Sequence, residues 1–221
     1  MMRYFGQGFC SLLALALLAC SPPKVLPPAK ESAAAGWVAQ VTSETMLQQT
    51  DKGYVVGAGN GTFGIVIPPD FPKPGLQEPK DPEASIHVFM AKKDDKHVAM
   101  FGWNRYNNMD LNEVAINYLL QQSQTSAVKQ MSGRATDTSD LRLGPYKGAR
   151  VWIAAGSGGN LSVARYEYYV IPPYLFQIGY MTTDGKELES AKVDDYFKSF
   201  HFEKISAASA VATKPAIPMI Y

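Results

Sequence analysis

Apolar and polar positions alternate with period two over residues 54–56 and again over residues 62–67, and Asn60-Gly61 lies between the two runs. Asn-Gly supplies the positive φ that a two-residue type I′ turn requires at both central positions, so the pattern predicts a β-hairpin. Pairing Gly59 with Thr62 puts Tyr54, Val56, Phe63, Ile65 and Ile67 on one face and Gly57, Gly59 and Gly64 on the other. The first face is a core face; the second admits close packing. Pro68-Pro69 ends the second strand, and Pro72, Pro74, Pro79 and Pro82 predict an extended loop after it. Residues 37–49 fit a helix or a short strand equally well.

A second hairpin is predicted where residues 85–92 and 97–106 flank Lys93-Asp94-Asp95-Lys96. Both arms are apolar on both faces: Ile86, Val88 and Met90 oppose Phe89 in the first, and Val98 and Met100 oppose Phe101 and Trp103 in the second. Strands of that kind are covered on each side, and helices are the expected cover. A turn at Asp94-Asp95 would set His97 opposite Lys92 and His87 opposite Gly102. The first helix is expected to open at Asp110, with Glu113 completing a capping box, Met109 stapled onto Val114, and Leu111, Val114, Ala115, Tyr118 and Leu119 as its apolar stripe. Residues 121–126 form its polar end. Strands follow over 149–155, 160–171 and 174–182, the last two joined by Pro172-Pro173. Asp184 and Glu187 repeat the capping-box pattern and open a second helix with Leu188, Ala191, Tyr196 and Phe197 inward; Phe200 and Phe202 alternate as a closing strand. The expected fold class is α+β, an antiparallel sheet flanked by helices in an α/β/α sandwich, occupying residues 37–205 as a single domain.

The ends of the chain read differently. Arg3, an apolar run over residues 9–18 and the sequence Leu17-Leu18-Ala19-Cys20 resemble a bacterial lipoprotein signal, with Ala19 at the cleavage point and Cys20 as the side chain to be acylated. The apolar run falls well short of the ~20 residues that span a bilayer. Residues 1–19 are therefore expected to be a signal peptide, and residues 20–36, with Pro22, Pro23, Pro27 and Pro28, a flexible tether. Residues 206–221 are expected to be a flexible tail. Ser21 follows the cysteine where lipoproteins retained at the inner membrane carry Asp, so the resemblance implies palmitate on Cys20 and a place on the outer membrane, facing the periplasm. Cys10 leaves with the signal and Cys20 carries lipid, which leaves no thiol for a disulfide, a nucleophile or a zinc site. With 21 basic against 20 acidic residues and no basic cluster, the chain offers nucleic acid no electrostatic footprint.

Candidate chemistry is sparse. A metal would have to use His87, His97 or His201 with Asp94, Asp95, Asp194 or Asp195, and hairpin spacing keeps His87 and His97 apart. Gly156-Ser157-Gly158-Gly159 has neither the spacing of a nucleophile elbow nor the Lys-Ser/Thr ending of a phosphate loop. No enzyme activity, metal or cofactor is expected. The tyrosine-rich arms offer the one candidate recognition set. Tyr166 and Tyr168 share a face with Tyr169 opposite, and Tyr174, Phe176 and Tyr180 share a face of the next strand. Such rings either pack across strands or, left uncovered, bind a partner; Tyr174 lies nearest a loop.

Three segments, Thr62-Phe63-Gly64-Ile65-Val66-Ile67-Pro68-Pro69-Asp70-Phe71, Tyr146-Lys147-Gly148-Ala149-Arg150, and the stretch from Ala191 through Phe197-Lys198-Ser199-Phe200-His201-Phe202, resemble the PsbP-like/Mog1-like superfamily, which includes bacterial lipoproteins of the DcrB type. The resemblance covers about residues 54–204. It implies an antiparallel sheet between helices and carries no catalytic motif over to this chain. Residues 37–52 and 72–83 depart from the pattern. The expected function is that of a non-catalytic, lipid-anchored periplasmic binding or assembly accessory of the bacterial envelope, with an envelope protein as partner; the alternative is a small-ligand or metal-binding lipoprotein.

Overall fold

Alternation along the central strands decides the architecture, because each sends successive side chains into two different cores. The structure, a computed structural model, describes residues 45–59, 61–77, 86–94, 96–106, 110–156 and 161–202. The expected signal peptide, tether and tail, with Cys20, lie outside the described residues. Eleven strands and three helices are present among the described residues. The strands are β1 (Thr45–Thr50), β2 (Gly53–Ala58), β3 (Phe63–Ile67), β4 (Gly75–Gln77), β5 (Ile86–Lys92), β6 (Val98–Arg105), β7 (Gly133–Leu143), β8 (Tyr146–Ala155), β9 (Ser162–Ile171), β10 (Tyr174–Thr182) and β11 (His201–Phe202). The helices are α1 (Glu113–Gln130), α2 (Gly185–Leu188) and α3 (Ala191–Lys198).

Every pairing is antiparallel, in a seven-stranded sheet ordered β4-β5-β6-β10-β9-β8-β7 and a four-stranded sheet ordered β1-β2-β3-β11. One face of the large sheet, with Val88, Met100, Val151, Tyr166 and Tyr168, packs under α1. Its other face, with Phe89, Phe101, Trp103, Phe176 and Ile178, packs against Val56, Phe63 and Ile65 of the small sheet and against Val193 and Phe197 of α3. The expected α/β/α sandwich is thus corrected to a sheet-dominated fold in which a second sheet and two short helices cover the far face. The doubly apolar strands demanded cover on both sides, and another sheet supplies it as well as a helix does. Aromatic rings fill the space between the sheets: Phe63 lies 4.8 Å from Phe176 and 5.1 Å from Trp103, edge to face.

The first hairpin keeps its expected register, with Tyr54 opposite Ile67, Val56 opposite Ile65 and Gly57 opposite Gly64. Its turn differs from the two-residue form: the Gly61 amide donates to the Ala58 carbonyl at 2.9 Å, and Gly61 sits at φ 73°. Residues 45–49, open between helix and strand, are strand, and part of the Pro-rich loop adds β4 to the sheet edge. In the second hairpin the Lys93 amide donates to the His97 carbonyl at 3.0 Å, so three residues and not two make the turn. Asp94 Oδ1 explains the longer turn by accepting from the Lys96 and His97 amides at 2.7 and 2.8 Å. His87 consequently faces Trp103 and not Gly102.

The helix α1 starts later and runs further than its sequence pattern indicates. Asn112 is its N-cap and accepts from the Ala115 amide at 3.0 Å, displacing the Asp110 cap. Val114 and Tyr118, expected inward, are 78% and 53% exposed, while Leu119, Leu120, Ser123 and Ala127 are buried. The supposed polar end is therefore part of the packed face. Ser123 can be buried because its hydroxyl donates to the Leu119 carbonyl at 2.8 Å. The second expected helix is divided at Ser190 into α2 and α3; Val193 faces inward and Ala191 is exposed. Ser199 closes α3 by donating to the Tyr196 carbonyl at 2.7 Å and accepting from the Val66 amide at 3.0 Å. That contact ties the Ser199-Phe200 stretch to β3, two of the segments that carry the family resemblance.

Candidate functional site

The five rings proposed for partner binding are placed mostly in the cores. Tyr166 and Tyr168 are buried beneath α1 with centroids 6.3 Å apart, and Phe176 and Tyr180 are buried between the sheets. Burial pushes the Tyr166 hydroxyl well above its ordinary range. These four are core residues, a correction that follows from the cover both faces of the sheet receive. Tyr174 alone of the set reaches the rim, half-buried beside Phe63 at 5.3 Å, with the Arg105 guanidinium 5.9 Å over its ring.

Polar chemistry gathers instead in two places. On the small-sheet face of β8 and β9, Arg150 and Arg165 converge on one carboxylate. Glu167 Oε1 accepts from Arg150 Nε at 2.9 Å and from Arg165 Nη2 at 2.7 Å, and its Oε2 accepts from the Tyr169 hydroxyl at 2.8 Å. Arg165 Nη1 reaches Asp194 of α3 at 2.6 Å, and its guanidinium lies 4.1 Å over the Phe197 ring. Arg165 and Glu167 are 6% and 3% exposed, so the pairing is what makes their burial tolerable. The bond from Arg165 holds the Asp194 carboxyl below its ordinary value. Arg165 and Glu167 stand two apart on one strand face, a visible signal; Arg150 joins them only through the register, which sets it opposite Glu167.

The second cluster lies at the β5–β6 turn. His97 Nδ1 is 2.9 Å from Asp94, and His97 Nε2 is 3.1 Å from Glu187 at the start of α2. Glu187, the expected capping-box partner of Asp184, accepts from the Tyr180 and Thr182 hydroxyls at 2.8 and 2.7 Å. The bond from His97, with the Lys96 and His97 amides, holds the Asp94 carboxyl at about 2. Nearby, Asp70 joins Lys93 at 2.9 Å and Lys192 at 2.6 Å. Burial works against its ionisation, and the two ammonium groups together outweigh that effect and lower its pKa.

The histidines weighed for metal are dispersed. His87 stacks on Trp103 with centroids 4.9 Å apart, His97 is in the turn cluster, and His201 is exposed in β11. Asp194 is taken by Arg165, Asp195 is exposed on α3, and Asp95 lies outside the described residues. Among the described residues no three His, Cys, Asp or Glu side chains converge as a metal centre would require. Of Gly156-Ser157-Gly158-Gly159, only Gly156 is described, in the connection between β8 and β9. Among the described residues, Leu143, Gly144, Pro145, Tyr146 and Phe202 line an open recess of about 340 Å³, at the end of the sandwich where Tyr174 lies.

No family model matches the chain, and no curated protein matches its sequence. Solved structures are similar to it at low identity. Cyanobacterial PsbP (CyanoP) from Synechocystis is 8% identical, with 81% of this chain and 99% of that chain covered and a TM-score of 0.46. LpqN of Mycobacterium tuberculosis, described as involved in cell envelope biogenesis, is 12% identical over 72% of this chain and 83% of its own, with a TM-score of 0.38. The PA94 protein of Pseudomonas aeruginosa is 15% identical over 66% and 87%, with a TM-score of 0.34.

Proposed function

We propose that the protein is a non-catalytic binding or assembly accessory of the bacterial cell envelope, of the PsbP-like, DcrB-type kind, held on the periplasmic side of the outer membrane by lipid on Cys20. The observation that carries this reading is Leu17-Leu18-Ala19-Cys20 at the end of a short apolar run behind Arg3. No helix among the described residues is long and apolar enough to cross a membrane, and on this reading none has to. Acyl chains contribute about 0.8 kcal/mol per buried methylene, so more than one of them anchors a domain stably.

Cys20→Ala tests the anchor. The expected outcome is loss of the protein from the membrane fraction, or an unprocessed precursor, together with loss of labelled palmitate. A fully processed Cys20→Ala protein that stays with the membrane would overturn it. Crosslinking in intact cells, with mass spectrometry of what is captured, then identifies the envelope protein on the other side.

A further inference from the structure

The molecule is polar along the strand axis. At one end the β5–β6 turn, the loop after β3 and the α2–α3 pair bring together Asp70, Lys93, Asp94, Lys96, Glu187 and Lys192. At the other end turns and rings form the surface, flanked by Asp110, Arg142 and the Glu113–Lys147 pair. Pro145 is exposed in the β7–β8 turn, Tyr146 and Tyr174 are half-buried, and Phe202 covers Tyr146 with centroids 6.0 Å apart, leaving the open recess between them. Val114 belongs to this end as well. It sits in the first turn of α1, whose Glu113 pairs with Lys147 of β8 at 2.6 Å, and it is the most exposed large apolar side chain described.

Both chain connections leave from this apolar end. Thr45 pairs with Ala58 beside the β2–β3 turn, and Phe202 pairs with Phe63 on the other side of that turn. Twenty-four residues separate Thr45 from Cys20, a reach of at most roughly 80 Å. Tyrosine rings with a cation close by are the side chains that settle at the headgroup level of a bilayer, body in the apolar zone and polar tip in the wet one. The Arg105–Tyr174 pair is of that kind.

From this placement we propose that the end bearing Val114, Pro145, Tyr146, Tyr174 and Phe202 is a lipid-contact face. The domain rests on the headgroup surface of the bilayer that holds its anchor, apolar end down, and presents the charged β5–β6 end to the periplasm. The inference rests on the Cys20 anchor and adds to it an orientation.

The test uses the full-length lipidated protein in vesicles of brominated phosphatidylcholine. On the proposed processing that protein has no free thiol, so one introduced cysteine, Pro145→Cys or Lys96→Cys, carries a fluorophore at either end. The label at 145 is expected to be quenched about threefold more than the label at 96, as for a group seated at the acyl boundary. Adding Val114→Asp, at a side chain 78% exposed, is expected to lower that quenching with the melting temperature unchanged. Equal quenching of the two labels in a protein that floats with the vesicles would overturn the orientation while leaving the anchor in place. Disulfide formation between 145 thiols of neighbouring molecules in the unlabelled Pro145→Cys protein, with copper phenanthroline and dioxygen as oxidant, would do the same, by showing a second copy on this face. A protein that takes up no labelled palmitate and does not float overturns the anchor and the orientation together.

Discussion

Glu167 is a single carboxylate serving two guanidiniums and a phenol at 3% exposure. Replacing it with Gln keeps the volume and removes the charge, leaving Arg165 buried with only Asp194 to face. Glu167→Gln is expected to destabilise the domain by roughly 3 kcal/mol, seen as a lower denaturant midpoint. Tyr169→Phe, which deletes one hydrogen bond to the same carboxylate, should cost about 1 kcal/mol. The turn cluster makes a different demand. Asp94 is held at about 2 against an ordinary 3.8, and Asp70, Glu187 and Asp194 are lowered too. A carboxyl whose folded value is depressed binds its proton more readily in the unfolded chain, so its contribution is complete above the ordinary value and lost as the pH falls toward the folded one. Stability should therefore be flat from neutral pH down to about 5 and decline between about 4 and 2. Denaturant midpoints across that range check the decline. In His97→Gln the Asp94 carboxyl should titrate nearer its ordinary value, a shift that carbon NMR reads directly.

At the level of elements, two glycines separate backbone conformation from crowding. A Cβ on Gly61 would meet nothing within 4 Å, so Gly61→Ala opposes only the φ of 73° and should cost about 1 kcal/mol. A Cβ on Gly148 would lie 2.6 Å from the Tyr168 carbonyl oxygen and 2.7 Å from the Tyr169 ring. Gly148→Ala should cost more than about 2 kcal/mol, measured by the same unfolding curves, because backbone as well as a ring must give way. Elements with strong alternation were legible in the sequence: the β2–β3 register and the β9–β10 arms joined at Pro172-Pro173 stand where the pattern put them. The strand β7 was not, because Arg134, Thr136, Thr138, Asp140 and Arg142 are exposed along a sheet margin and leave no apolar period to read. The inward face of α1 was misread for the opposite reason. Ser123 and Ala127 pack inside while Val114 and Tyr118 stay out, so hydropathy placed Leu111 and Leu119 on the packed side but misplaced the rest of the stripe. The tyrosine arms looked like a surface because the sequence does not reveal a second sheet folding over them, and the charged cluster was hidden because its members come from two strands and a helix.

Across the whole molecule, the seven-stranded sheet is a wall shared by two cores, and the two cannot melt independently without tearing the strands that line both. Leu119→Ala under α1 and Phe63→Ala between the sheets should each lower stability by about 2 to 5 kcal/mol. Each variant should shift one common transition, with tryptophan fluorescence and far-ultraviolet circular dichroism superimposing. Two separate transitions would contradict the shared wall. Among the described residues the same sheet ends in β7, eleven residues long and paired there with β8 alone. On the proposed anchor, copies held on one surface meet far more often than in free solution, and an unpaired margin of backbone amides and carbonyls is what one copy would use to add itself to the next. Here the margin carries Arg134, Asp137, Asp140 and Arg142, and the ladder slips between Ala135 and Asp137. A neighbouring strand would have to match that irregular spacing, and an in-register parallel copy would bring like charges against like. The sheet can therefore be crowded without growing.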